Sequence, residues 1–316
     1  MKKLVFAVIL AVLFSACGDT SGGKTSEPSV YIGGSFMDNG VEKACYWVDE
    51  KRYELNGDAV FNIIAIGNTV YAAGKYTADG VDKACYWVNG VRRDLPGLSI
   101  IDGIDAYGQI SVDSGNVYVC GMYDGNGNED NKKVSYWVNG IRFEPPANGI
   151  DVYAANGSVY IVGSYTDGGI FKPCYWVNGV RKGLPNIAAS IPDWIVGTIT
   201  VVNNRIYIAC IFGTDSDIYS SYWIDGVQQK ILTKDYMIIF AVSEGNVYTA
   251  GGLLYINGEL SDIEYGFFTN NAAFAVSRGK VYTCFWDWES ETACYWIDGE
   301  QFFLDGAYAN AIFVKE

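Results

Sequence analysis

"KACYWVNGVRRDL", Lys83–Leu95, decides how this chain folds, because the chain writes it repeatedly. Near-copies stand at Lys43–Leu55 (KACYWVDEKRYEL), Lys172–Leu184 (KPCYWVNGVRKGL) and Thr292–Leu304 (TACYWIDGEQFFL). Each copy is an aromatic, apolar run, a two-residue break and a second run. The break is Asn-Gly or Asp-Gly at Asn89-Gly90, Asn139-Gly140, Asn178-Gly179, Asp225-Gly226, Asn257-Gly258 and Asp298-Gly299. Both central residues of a type I′ hairpin turn need positive φ, which Asn, Asp and Gly tolerate best. The stretch therefore reads as two antiparallel strands joined by a tight turn. Only the first copy departs, with Asp49-Glu50.

Upstream of each copy lies a second landmark, Val-Tyr or Ile-Tyr. It occurs seven times, beginning at Val30, Val70, Val117, Val159, Ile206, Val247 and Val281. The separations are 40, 47, 42, 47, 41 and 34 residues, a period that several short strands fill. Each unit reads as four strands: a run such as GNVYVCGMY (Gly115–Tyr123), one such as VSYWV (Val134–Val138), a third such as VRRDL (Val91–Leu95), and a fourth such as QISV (Gln109–Val112) that leads into the next Val-Tyr. Two residues before Val-Tyr stand Asn68, Gly115, Gly157, Asn204, Gly245 or Gly279, which suit a left-handed tight turn. The chain starts on the second strand of a unit, and its end, Ala309–Glu316, matches a first strand. Pairing Ala309–Val314 with Val30–Phe36 would close a ring and leave no open sheet edge. The expectation is an all-β fold: a seven-bladed β-propeller of four-stranded antiparallel blades over 29–316, closed by the C-terminal strand in the first blade.

The repeat places aromatics in one slot: Trp47, Trp87, Trp137, Trp176, Trp223 and Trp296, with Tyr255 in the sixth unit. A mid-strand slot shared by every unit reads as packing between blades rather than as a ring of binding aromatics. Cys45, Cys85, Cys174 and Cys294 share another slot, replaced by Ser135 and Ser221, while Cys120, Cys210 and Cys284 lie on second strands. Equivalent slots on successive blades are too far apart to bridge, so most of these cysteines read as small buried hydrophobes. A Cys284–Cys294 bridge across the last hairpin is the alternative.

Composition narrows the chemistry. The net charge is −14 over 316 residues, and no basic run interleaves with aromatics, which excludes a nucleic-acid partner. The chain has no histidine, which excludes Ser-His-Asp and Cys-His catalysis and any His-ligated metal. Catalysis would have to use carboxylates, Tyr, Lys or a thiol.

The N-terminus, MKKLVFAVILAVLFSACG, has two lysines, an apolar run from Leu4 to Phe14 and Phe14-Ser15-Ala16-Cys17. It resembles a bacterial lipobox, with Phe14 where Leu is usual. The resemblance implies a lipoprotein signal peptide over 1–16, lipidation of Cys17 and anchoring in the cell envelope through the lipid. Residues 17–28 then read as a flexible, Gly/Ser/Thr-rich tether. The repeat itself resembles bacterial propeller repeats loosely related to kelch, through Gly33-Gly34 and Gly251-Gly252 after Val-Tyr-x. It departs in that Tyr46 and Trp47 are adjacent and precede the turn, so the resemblance implies architecture and carries no functional residues.

A propeller puts two sets of connections on each face. The Asn-Gly turns and the turns before Val-Tyr are short on one face. The other connections vary, as at Pro96–Ala106, Asp124–Asn131, Pro145–Ile150 and Pro185–Ile195, and variable loops on a rigid scaffold are where binding residues collect. The tether would enter on the short-turn face, so the variable face would point away from the membrane. Three loop features are candidates. FWDWES offers Trp286, Asp287, Trp288 and Glu289, aromatics with carboxylates that suit a glycan or protein partner. Trp194 follows Pro192-Asp193 in a long connection. Asp124, Asn126, Asn128 and Asp130 alternate as in a calcium loop, although Glu129 and Ser135 occupy positions where such loops need Gly and Glu, so a polar hairpin loop competes. Asp38, Asp79, Asp167 and Asp215 read as turn formers. The functional expectation is a non-enzymatic ligand- or protein-binding scaffold on the bacterial envelope. The alternatives are a carboxylate-based glycoside hydrolase or lyase, which needs two facing acids, and, by architectural analogy with lipid-anchored propellers, an outer-membrane assembly factor.

Overall fold

The computed structural model describes residues 28–99, 109–123, 133–144, 148–167, 170–185, 194–213, 218–233, 239–250, 254–261, 273–287 and 290–315. These residues form seven four-stranded antiparallel blades arranged as a ring. Blade 1 is built from Tyr308–Lys315, Ser29–Asp38, Val41–Val48 and Lys51–Glu54, in that order from the centre outward. The first strands of blades 2 to 7 are Ala59–Ile66, Gln109–Asp113, Asn148–Ala155, Trp194–Val202, Ile239–Ser243 and Ala273–Ser277, and each is followed by its three partners in chain order. Leu98 pairs with Tyr123, so blades 2 and 3 also touch through one bridge.

The ring closes as the repeat requires. Val30 pairs with Val314, Tyr31 with Phe313 and Ile32 with Ile312, so the last strand completes the first blade. Closure joins the two ends of the described chain, gives blade 1 its first strand and packs that blade against blade 7.

All seven turns between third and fourth strands have positive φ at both central residues, Asp49-Glu50 included. The Asn or Asp there has a second task. Its side-chain oxygen accepts the backbone N–H of the Val or Ile of Val-Tyr, and its own N–H donates to that residue's carbonyl. Asn178 and Val159 show the pattern, with both bonds 2.9 Å long. The two landmarks of the repeat are thus partners, and they staple the second strand to the outer hairpin. The turns before Val-Tyr are left-handed as expected at Gly115, Gly157, Asn204, Gly245 and Gly279, whereas blade 2 uses Gly67 instead of Asn68.

The core lies between blades. Trp87 packs with Ala44 and Leu55 of blade 1, Trp137 with Leu95 and Tyr86 of blade 2, and Trp223 with Tyr175 and Leu184 of blade 4. Trp47 closes the ring against Tyr282, Tyr295 and Leu304 of blade 7. Trp47, Trp137 and Trp223 have 0% exposure, so these rings are structural. The indole N–H of Trp137 donates to the carbonyl of Pro96, and that of Trp223 to Pro185, each on the preceding blade. Gly57 and Gly306 leave room for the indoles: a Cβ would lie 2.6 Å from a ring carbon of Trp87 and 2.3 Å from one of Trp47.

Three expected boundaries move. The fourth strand of blade 2 runs past Pro96 to Ser99, the first strand of blade 4 begins at Asn148, and that of blade 5 begins at Trp194. In each case a long neighbouring strand offers backbone partners beyond the apolar run: Ser99 pairs with Lys83, Asn148 with Ser164 and Trp194 with Gly213.

Candidate functional site

The seven described cysteines are buried and none is bridged. Cys294 stands opposite Phe285 and Cys284 opposite Tyr295, so the two thiols point to opposite faces of their sheet. Burial pushes the Cys174 thiol up to about 12, and burial pushes Cys45, Cys85, Cys210, Cys284 and Cys294 upward as well. Thiols held protonated and out of solvent are poor nucleophiles.

Of the expected loop residues, the structure describes a part. Trp286 and Asp287 end the second strand of blade 7, both half-buried, and the Trp286 ring lies 5.9 Å from that of Tyr308 in blade 1. Asp287 accepts from the N–H of Ser290 at 3.0 Å and from its hydroxyl at 2.6 Å, the bonding of an aspartate that shapes a turn. Trp194 opens a strand rather than sitting in a loop. Trp288, Glu289, Asp215, Cys17 and the calcium-loop candidates Asp124, Asn126, Asn128 and Asp130 lie outside the described residues. Asp79 is a left-handed turn residue at φ 57°, and Asp167 pairs with Lys172 at 2.7 Å, so both serve their hairpins. Asp38 likewise pairs with Lys43. Among the described residues, no group of three or more His, Cys, Asp or Glu could hold a metal.

The channel at the centre of the ring carries a constellation that the sequence reading did not single out. A cavity of about 510 Å³ is lined by the first strands of all seven blades. One polar slot recurs there. Asn62, Gln109, Asp151 and Thr198 each pair with the residue three past the Val or Ile of Val-Tyr, namely Ala73, Cys120, Val162 and Ala209. Equal register puts them at one height on four consecutive blades. In the other three blades the slot holds Ile239, Ala273 and Ala311. The polar residues of this register thus fall on four consecutive blades and the apolar ones on the remaining three.

Each innermost strand has one edge without a strand neighbour, and side chains from the blade before it satisfy some of those backbone groups. The Asn310 amide donates to the carbonyl of Val60, and the Ser111 hydroxyl accepts from the N–H of Ala154. Asp113 accepts from the N–H groups of Asn156 and Gly157. Asn62 donates to Gln109 Oε1 at 3.0 Å. Asp151 fits the pattern in part. Its Oδ2 accepts from the Thr198 hydroxyl at 2.9 Å and from the N–H of Ile199 at 3.0 Å. Its Oδ1 is buried and has no hydrogen-bond partner. The residue is only 5% exposed. Burial pushes its carboxyl up to about 6, against the opposing pull of the Ile199 N–H, the Thr198 hydroxyl and the Val152 N–H. The signal in sequence was a single acid in a first strand, in a slot that other units fill with neutral residues.

No family profile matches the chain, and no curated protein sequence matches it. Similar solved structures include the sialidase of Trypanosoma rangeli, at 9% identity and a TM-score of 0.42 over 84% of this chain and 55% of that one. The tricorn protease is 14% identical, with a TM-score of 0.34 over 91% of this chain and 31% of that one. A GH32 β-fructofuranosidase of Bombyx mori is 12% identical, with a TM-score of 0.33 over 83% of this chain and 85% of that one. The chain thus spans about half the length of the sialidase and under a third of the tricorn protease. Likeness at this level transfers no activity, substrate or residue.

Proposed function

We propose that this protein is an envelope lipoprotein, anchored through Cys17, whose propeller is a non-enzymatic scaffold that binds a protein or glycan partner on its variable face. The observation that carries the reading is the unequal treatment of the two faces. On one, every third-to-fourth turn has two residues, and all seven are tied into the ring by the same backbone and side-chain bonds. On the other, the connections between second and third strands run from two residues to nine, and those between blades from four to twelve. A face with uniform turns is committed to the fold. A face on which each blade differs is free to specify a partner. Ser29 pairs with Lys315 and the N–H of Val30 bonds Asp49, so the described chain starts on the uniform face. A lipid tether entering there leaves the variable face directed away from the membrane.

Two measurements test this reading. Metabolic labelling with a radioactive fatty acid should mark the natural chain and not Cys17→Ser; label retained by the variant removes the anchor. Glycan arrays and crosslinking to envelope proteins should give a partner whose binding falls at least tenfold in Trp194→Ala or Trp288→Ala, with an unchanged circular dichroism spectrum. Full binding by both variants would place the contact elsewhere.

A further inference from the structure

The uniform face carries an apolar feature that the fold does not use. The residue directly after each two-residue turn opens the fourth, outermost strand of its blade, opposite the last residue of the third. In blades 2 to 5 that slot holds Val91, Ile141, Val180 and Val227, which are between 62% and 67% exposed. Equal register places them at one height on the rim of four consecutive blades. A single exposed valine needs no explanation. Four in one slot do, because the turn does not demand them: blades 6, 7 and 1 fill the slot with Glu259, Glu300 and Lys51, opposite Ile256, Ile297 and Val48. Hairpin pairing therefore does not account for the apolar side chains.

The turns around them follow the same division. On blades 2 to 5 the charges in or beside the turns of this face are spent within the ring: Asp113 accepts from the N–H groups of Asn156 and Gly157, and Arg205 bonds Asp225 at 3.0 Å. Ile66, beside the turn before Val70, adds one more exposed apolar side chain to the sector. Blades 6, 7 and 1 place Glu244, Arg278, Lys280, Asp298, Asp49 and Glu50 in or beside the corresponding turns. Two residues beyond the apolar rim, on the same side of their strands, stand the exposed Arg93, Phe143 and Lys182. That is about 7 Å along the strand, a depth comparable with the head-group layer of a bilayer, where cationic and aromatic side chains are at home.

The tether brings one partner to this face. Cys17 and Pro28 are eleven residues apart, and the described chain starts at Pro28 on the uniform face. A flexible segment of that length has a root-mean-square span of about 18 Å. A lipid on Cys17 would hold the face close to the bilayer and make a second contact effectively intramolecular, so that weak apolar insertion is enough. Four apolar points at one height, separated by polar turns, suit a flat and yielding surface. They do not form the contiguous patch with a desolvated centre that a protein hot spot needs.

We propose that the uniform face rests on the bilayer that holds the Cys17 lipid, with Val91, Ile141, Val180 and Val227 inserted at its surface as a second, non-covalent contact. The proposal rests on the anchored reading above and adds an orientation to it: the disc leans toward blades 2 to 5.

The test uses the natural lipidated protein in phosphatidylcholine vesicles, labelled with the fluorophore NBD at one introduced cysteine; the seven cysteines of the propeller are buried, which keeps the label specific. Val180→Cys and Ile141→Cys report the rim, Glu300→Cys the same slot in blade 7, and Val41→Cys the variable face. The two rim probes should shift to the blue on reconstitution. Lipids with a doxyl group on the acyl chain should quench them at least threefold more than the other two. Val91→Glu with Ile141→Glu and Val227→Glu introduces the residue that blades 6 and 7 already carry there. It should abolish quenching of the Val180→Cys probe with an unchanged circular dichroism spectrum. Flotation of the same vesicles separates the two readings. A chain that floats while both rim probes stay unquenched keeps its anchor and overturns the proposal; a chain that does not float overturns the anchor and the proposal with it. A blue shift that needs no vesicles and grows with protein concentration would mean that a second copy covers the rim. Equal quenching at all four positions would mean a contact without orientation. Either result overturns the proposal.

Discussion

Asp151→Asn gives the sharpest test of how the channel is built, read as a stability difference across pH. The carboxyl has an ordinary value of 3.8 and is pushed up to about 6 in the folded protein, chiefly by burial. Between these values the folded state binds a proton that the unfolded state has released. Stability therefore falls as pH rises through this window, and the loss is complete above the folded value. At 1.36 kcal/mol for each tenfold change in proton affinity, the ionised carboxylate costs the fold about 3 kcal/mol at pH 8 relative to pH 3. Asparagine cannot ionise. Its oxygen can still accept from Thr198 and Ile199, and its amide takes the place of the unpartnered oxygen at a penalty that does not vary with pH. The absolute stability of the variant mixes these effects, but its pH dependence does not. Urea unfolding of both proteins at pH 4, 5, 6, 7 and 8 should show the variant gaining on the natural protein by about 2 kcal/mol across this range, with most of the change between pH 4 and 6. Other titrating groups are common to both proteins and cancel in the difference. A difference that is flat with pH, or that shrinks as pH rises, refutes the account of Asp151 as a buried, poorly compensated acid.

Three further outcomes follow from the ring. Trp87→Ala should lose about 3–5 kcal/mol in urea unfolding, because it empties the contact between blades 1 and 2; a loss under 1 kcal/mol would mean that the indole is not structural. Asn178→Gly keeps the left-handed turn but removes the bond to Val159, so it should cost about 1 kcal/mol, while Asn178→Ala adds backbone strain and should cost more; equal effects would detach the side chain from the staple. Ellman's reagent at pH 8 should leave the seven described cysteines unreacted in the native protein and titrate them after denaturation, and rapid native labelling of Cys284 or Cys294 would contradict their burial.

The blade pattern was legible because its cause is local. Asn-Gly at positive φ makes a hairpin wherever it stands between apolar runs, and alternation along a strand sends the slot of Trp47 and Trp87 to the same face of every blade. Ring closure was legible for a related reason: a first strand without the rest of its unit at one end of the chain fits only the incomplete unit at the other. Boundaries such as Trp194 were not, because pairing with Gly213 depends on how far a neighbouring strand extends rather than on Trp194 itself.

The amino-acid sequence alone determined the number of blades, their strand order and the structural role of the repeated tryptophans, since each follows from short-range backbone preference repeated seven times. Only the tertiary structure decided what stands in the channel. Asn62, Gln109, Asp151 and Thr198 are more than forty residues apart in the chain, one from the next, and they meet because closing the ring brings equal registers to one height. Nor does any short stretch show that Asp151 is buried with one oxygen unmet. That state is set by blades 3, 4 and 5 together, through the dielectric they impose and the donors they do or do not supply.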